Sequence, residues 1–211
     1  MPGEIKDLAA VVAQIMVKEH GFTKKGRLFL REDNLLRSVI ISPSKAAATG
    51  SYRFDVALNL GLLGLSSSSA TRSEWVVSAT AGKIRMMRDR SARRLEITGN
   101  DEEDSRVKAE LIELLQALSD DFLLKPSSPA DLIELVVSGA DDFKRLDLWP
   151  WNELARLELA CVYLEYVGES QRAHKLEERA LHLSIEQGVD YFPKRLRENV
   201  QMASLRKSSR A

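Results

Sequence analysis

The run Tyr52-Arg53-Phe54-Asp55-Val56-Ala57-Leu58-Asn59-Leu60-Gly61 decides the fold class. Tyr52, Phe54, Val56, Leu58 and Leu60 are apolar, while Arg53, Asp55, Ala57 and Asn59 between them are mixed. A period of two puts these sets on opposite faces of a strand, the pattern of an antiparallel sheet covered on one side. Upstream, residues 28–31 and 35–42 read as two more strands, separated by the turn formers Asp33-Asn34 and closed by Pro43. Before them Ile5, Leu8, Ala9, Val12, Ile15 and Met16 recur at helical spacing, which predicts an amphipathic helix over 3–20 stopped by Gly21. Downstream, the serines 66–69 read as a long hairpin connection, and 74–79, 83–88 and 94–98 as further strands, the first two joined through Ala81-Gly82. The expectation is a meander of five or six strands.

From Asn100 the period lengthens. Asp101, Glu102, Glu103 and Asp104 read as a solvated helix start, of the sign that suits a helix N-terminus, followed by Val107, Leu111, Leu114, Leu115 and Leu118. Pro126 ends that helix, Ser128-Pro129 opens another, and Gly139 stops it. Asp147-Leu148-Trp149-Pro150 reads as a hinge into helices near 151–167, 170–187 and 190–206. The predicted fold is α+β: an N-terminal helix packed on a curved antiparallel sheet in a domain over 1–138, then an all-helical extension over 139–211.

The 211 residues are 44% apolar, enough for a core. The 31 basic and 31 acidic residues cancel, so no global field holds nucleic acid or an anionic membrane. The charge is uneven, however. Residues 1–100 carry 16 Lys+Arg against 9 Asp+Glu, residues 101–190 carry 9 against 21, and the tail carries 6 against 1. A basic sheet half thus meets an acidic helical half, and mutual neutralisation competes with a functional basic patch. The lone Cys161 has no intrachain disulfide partner and the N-terminus lacks a basic-then-apolar leader pattern, so a cytoplasmic location is expected. No apolar run approaches the roughly 18 residues of a membrane span, and no membrane partner is expected.

The segment from His20 to Arg31 (His-Gly-Phe-Thr-Lys-Lys-Gly-Arg-Leu-Phe-Leu-Arg), then Val39-Ile-Ile-Ser-Pro-Ser-Lys45 and the strand ending Asn59-Leu60-Gly61, resembles the bacterial family termed domain of unknown function 4304. In that family a helix leads into a Gly-Phe-Lys-Lys turn, a strand ending Ser-Lys and a strand ending Asn-Leu-Gly. The similarity covers about residues 1–135 and departs at Pro43, where glutamine is common, and around 95–97, where a tryptophan pair is missing. It implies a fold and no activity. Leu154-Ala155 to Tyr163, Gly168, Ala173 and Ala180-Leu181 look like a single tetratricopeptide-type helical hairpin, and an ordinary hairpin packed on the N-terminal domain is the competing reading.

No His-Glu-x-x-His, paired-cysteine, phosphate-loop, Gly-x-Gly-x-x-Gly or Gly-x-Ser-x-Gly pattern occurs. No metal ligand, cofactor or catalytic residue is assigned, and the reading leans away from an enzyme. Cys161 looks like a small buried apolar residue. The binding candidates are Lys24, Lys25, Arg27 and Arg31, and a downstream strip of Lys83, Arg85 and Arg88 with Arg90, Arg93 and Arg94; Lys83 and Arg85 would share one strand face. Asn59 either binds backbone at a strand end or lines a cleft, the structural role being favoured. Trp149-Pro150-Trp151 is either an exposed anchor or an interdomain wedge, the hinge position favouring the wedge. The expected function is a non-enzymatic module that binds another protein. The alternatives are a nucleic-acid-associated protein using the basic sheet face, or an enzyme whose site is assembled from scattered residues.

Overall fold

The computed structural model describes residues 3–43, 52–66, 75–89 and 95–208, with side chains from Asp7 onward. Lys45, the serines 67–69, Glu74, Arg90, Arg93 and Arg94 of the sequence reading lie outside the described residues. Helix α1, Gly3–Ala13, runs directly into a π-helical stretch, Gln14–Glu19, and Gly21 follows at φ 71°. The helix expected over 3–20 therefore changes its winding before it stops.

Strands β1 (Thr23–Lys25), β2 (Leu28–Glu32), β3 (Leu36–Pro43), β4 (Tyr52–Gly61) and β5 (Val76–Thr80) pair antiparallel in that order. β4 is central, matched to β3 from Pro43↔Phe54 to Leu36↔Gly61. Its apolar set is buried: Phe54, Val56, Leu58 and Leu60 are all at most 2% exposed. The other face grades from exposed Arg53, through half-buried Asp55 and Ala57, to buried Asn59, so this face is covered toward the Gly61 end.

Residues 83–88 are not a strand. Helix α2, Ala81–Arg88, follows β5 directly, and the chain returns to the sheet as β6, Glu96–Ile97. Pairing along β4 runs from Gly61↔Val76 to Ala57↔Thr80, then resumes at Arg53↔Glu96 and Tyr52↔Ile97. α2 thus interrupts what would otherwise be one strand. Opposite the gap, the Val56 and Gly82 backbone N–H groups both donate to Asp55 Oδ1, at 2.8 and 3.0 Å, which serves a strand amide that has lost its partner and the start of the inserted helix. The alternation Lys83-Ile84-Arg85-Met86 imitates a strand over four residues, but Met, Arg and Lys are good helix formers.

Helix α3, Asp101–Leu118, is capped by the Asn100 side chain, which accepts from Glu102 and Glu103 N–H at 3.1 Å each. The acidic start is only partly solvated: Asp104 is buried and accepts from Thr98 and Gly99 N–H at 2.8 and 3.1 Å, tying β6 to the helix. A π-helical stretch, Ser119–Leu123, ends it. Helix α4, Pro129–Ser138, opens with a reciprocal Ser128/Asp131 capping box and Pro129 in its first turn. A short α5, Ala140–Arg145, not foreseen in the sequence, precedes the hinge segment. Three helices close the described chain: α6 (Glu153–Val167), α7 (Ser170–Glu186) and α8 (Phe192–Ser208).

The main core joins Leu8, Val12 and Met16 to the apolar face of β3 and β4 and to Leu111, Leu115 and Leu118 of α3. The same cluster continues through Phe143, Leu148, Tyr163 and Tyr166, across residue 139. A smaller cluster, containing Leu157, Cys161, Ala180, Phe192 and Leu196, holds the closing helices together.

Candidate functional site

The candidate basic residues divide into two groups. Lys24, Lys25, Arg27 and Arg31 sit on the hairpin at the β1 edge, whereas Lys83, Arg85 and Arg88 sit on α2, beyond β4, with β2 and β3 intervening. Most already have partners. Arg31 donates to the His20 carbonyl at 3.0 Å and pairs with Asp33 at 3.0 Å. Lys24 reaches the Ala9 carbonyl at 3.4 Å and stands 5.8 Å from the Phe29 ring centre. Because α2 is a helix, Lys83 and Arg85 are about 200° apart around its axis rather than on one face. Arg85 turns to Glu110 of α3 at 2.6 Å. Lys83 pairs with Asp147 at 3.2 Å and stacks 3.5 Å from the Trp151 ring centre. Lys25, Arg27 and Arg88 are exposed with no charged partner among the described residues.

Asn59 is 4% exposed and donates to Ser38 Oγ, its cross-strand neighbour, at 3.2 Å. This is a buried polar pair inside the sheet. Cys161 is fully buried, and its surroundings, chiefly burial itself and then the Glu177 and Glu158 charges, push its thiol up to about 12. Such a thiol stays protonated and is a packing residue. Among the described residues no group of His, Cys, Asp and Glu is placed to hold a metal ion, and no helix is long and apolar enough to cross a membrane.

The segment from Asp147 to Trp151 gathers the features of a surface site. Leu148 is buried, and the Trp149 backbone forms a bridge to β5, with Trp149 N–H to the Ser78 carbonyl at 2.8 Å and the reverse bond at 3.1 Å. The Trp149–Pro150 peptide is cis. The bridge to Ser78 fastens the backbone to the sheet while the rings face outward, Trp149 at 39% and Trp151 at 64% exposure. The exposed rings fit an anchor better than an interdomain wedge. Lys83 links this ridge to α2, where Met86 and Met87 lie three and four residues on, near Lys83 on the helix surface, and are exposed by 39% and 49%.

A cleft opens on each side of the ridge. One, of about 440 Å3, lies between Trp151, Phe143, Asp147 and Arg156. The other, of about 360 Å3, is walled by Trp75, Trp149, Pro150 and Leu159, with Glu158, Arg195 and Asn199 supplying its polar side. Glu158 is 7% exposed and takes both Arg195 Nε at 2.9 Å and Nη2 at 2.5 Å, plus Asn199 Nδ2 at 2.8 Å. Trp75 carries two anomalies. Its φ is +75°, rare for a bulky side chain, and its indole Nε1 is buried without a hydrogen-bond partner among the described residues. Its carbonyl is held by the Tyr163 hydroxyl at 2.7 Å and the Ser66 hydroxyl at 2.5 Å.

Sequence reasoning identified Trp149 and Trp151 and missed Glu158, Arg195 and Asn199, which α6 and α8 bring together. The one sequence signal was a carboxylate between Leu157 and Leu159, in a helix that is apolar almost all round. Comparison of the chain with protein-family models, with curated proteins and with solved structures found no match.

Proposed function

We propose that this is a cytoplasmic, non-enzymatic module that binds another protein through the ridge formed by Trp149 and Trp151 with Met86 and Met87 of α2. The observation that carries it is the outward display of two indoles on a backbone pinned to β5, next to two exposed thioethers on a helix linked to the ridge by Lys83. Isolated exposed apolar residues are ordinary, but tryptophans grouped with methionines are the composition of contact centres: indoles provide large rigid area, and methionine adapts to the surface it meets. The flanking Lys83–Asp147 pair and Arg156 supply a polar rim. The basic-surface alternative loses support because Arg31, Lys83 and Arg85 are engaged by carboxylates of this chain.

The test is capture of a partner from native lysate by the wild-type chain and by Trp151→Ala and Met87→Ser, each with and without nuclease. A stoichiometric protein partner lost in both variants and indifferent to nuclease is the expected result. Trp151→Ala should change stability by no more than about 1 kcal/mol, since only an exposed ring and its contact with Lys83 are lost. Retention of the partner by both variants overturns the assignment to this ridge. Loss on nuclease treatment transfers the function to nucleic acid.

A further inference from the structure

We propose that the cleft between Trp75, Trp149, Pro150 and the α6–α8 wall is a binding site for a small aromatic carboxylate. This goes beyond the role of the ridge and does not depend on it. The inference comes from the hydrogen-bonding capacity left over in the cleft once its internal bonds are made. Glu158, its one carboxylate, already receives three donors, two from Arg195 and one from Asn199. Arg195 then retains Nη1 without a hydrogen-bond partner among the described residues and Asn199 retains one amide hydrogen, while Trp75, which lines the cleft, has a buried indole N–H with no acceptor among the described residues. The only acceptor left over on these three side chains is the Asn199 carbonyl. Donors therefore exceed acceptors, and the complement is a group with several acceptor oxygens that meets a guanidinium edge-on, as a carboxylate does.

The remaining walls define the body of the ligand. Trp149 and Pro150 present flat apolar surface, and Ala155 and Leu159, one turn apart on α6, complete the apolar lining. A volume of about 360 Å3 lies within the roughly 300–1,000 Å3 range of small-molecule sites. The backbone of Trp75 supports the same conclusion: a non-glycine residue at φ +75°, held there by the hydroxyls of Ser66 and Tyr163, is strain retained by its surroundings at a cleft wall. Arg195 is steadied by the rings of Tyr191 and Phe192, 5.5 and 5.4 Å from its guanidinium carbon, as well as by Glu158, so the donor edge is preorganised.

The probe is 2-naphthoate, titrated calorimetrically into the full chain beside its neutral isostere 2-naphthamide. The expected result is saturable 1:1 binding of naphthoate at millimolar or lower concentration, with naphthamide about tenfold or more weaker. Arg195→Lys keeps the charge opposite Glu158 but removes the planar donor fork, and should weaken naphthoate about tenfold. Ala155→Trp fills the cleft and should abolish binding; circular dichroism establishes that each variant is folded, and if Ala155→Trp is not, Arg195→Lys alone decides. Absence of saturable naphthoate binding, equal binding of the amide, unchanged affinity in Arg195→Lys, or binding that survives in folded Ala155→Trp overturns the proposal.

Discussion

Replacing Arg37 with methionine should be among the most damaging single changes outside the apolar core. Arg37 projects from β3 and is 3% exposed, yet each of its three guanidinium nitrogens is engaged: Nε donates to the Leu123 carbonyl at 2.9 Å, Nη2 to the Pro126 carbonyl at 2.6 Å, and Nη1 pairs with Asp33. It thereby clasps the sheet to the turn that ends the α3 segment. Methionine fills similar space but orphans two carbonyls on the buried residues Leu123 and Pro126. Each of the two charge-assisted bonds to carbonyls contributes roughly 1.5–3 kcal/mol, so the loss should be about 3–6 kcal/mol. That is a large part of a total stability of about 5–15 kcal/mol, and at this chain length it corresponds to a fall in Tm of roughly 10 °C. Asp33→Asn should cost about 1 kcal/mol or less, because the carboxylate is one-third exposed and its pairing is screened. Urea unfolding followed by circular dichroism measures both. A cost below about 1 kcal/mol for Arg37→Met, or an equal cost for the two variants, would show that the ion pair and not the carbonyl clasp carries the energy, or that water replaces the lost donors.

Gly61→Ala should destabilise by about 1–3 kcal/mol in the same assay, since a Cβ there would sit 2.2 Å from Ser66 Oγ, which serves both Leu62 N–H and the Trp75 carbonyl. A neutral result would mean that Ser66 and the turn after β4 yield freely. The Cys161 thiol should resist a disulfide reagent at pH 8 in the native protein and react only as fast as the chain unfolds; because its folded value of about 12 lies above the ordinary 9.0, its contribution to stability is whole below pH 9.0 and is lost as pH rises toward 12. Rapid native labelling would contradict its burial. On the acid side, Asp33, Asp131 and Asp142 all lie below the ordinary 3.8. For Asp33, the rise caused by burial is outweighed by the Leu35 N–H and the Arg37 and Arg31 charges. Asp131 is lowered chiefly by the Ser127 hydroxyl, and Asp142 chiefly by its bond to Arg145. Their folded values are depressed, so their contributions are present above about pH 4 and disappear as pH falls below it, which an acid titration of the urea midpoint would show.

The strand that fixes the fold was legible because ten residues of strict alternation leave little freedom for any other reading, and the three closing helices because Gly168 and the apolar spacing mark their limits. The interruption of the sheet by α2 was not legible: four alternating residues carry too little periodicity to oppose helix propensity, and the reason a helix fits there, the double acceptance by Asp55, is tertiary. Counting charges exposed a basic half but could not assign Asp33, Glu110 and Asp147 as the acceptors of particular cations. The tryptophan ridge was visible in sequence, but which way its rings face is set by the backbone bridge to Ser78. The polar wall of the cleft joins residues 37 and 41 apart and left no local trace.

The borders of the sheet constrain how any companion chain can attach. At one border β1 has three residues, two of them lysines; at the other β5 has five, and its outer side is already occupied at Ser78 by Trp149. Between β5 and β6 the border gives way to a helix. None of the described strands offers an incoming segment a long free ladder of amides and carbonyls, which guards the molecule against edge-to-edge stacking. Among the described strands, addition of a further strand finds no long edge to use, so selectivity at this part of the surface comes from side chains that a visitor meets one at a time.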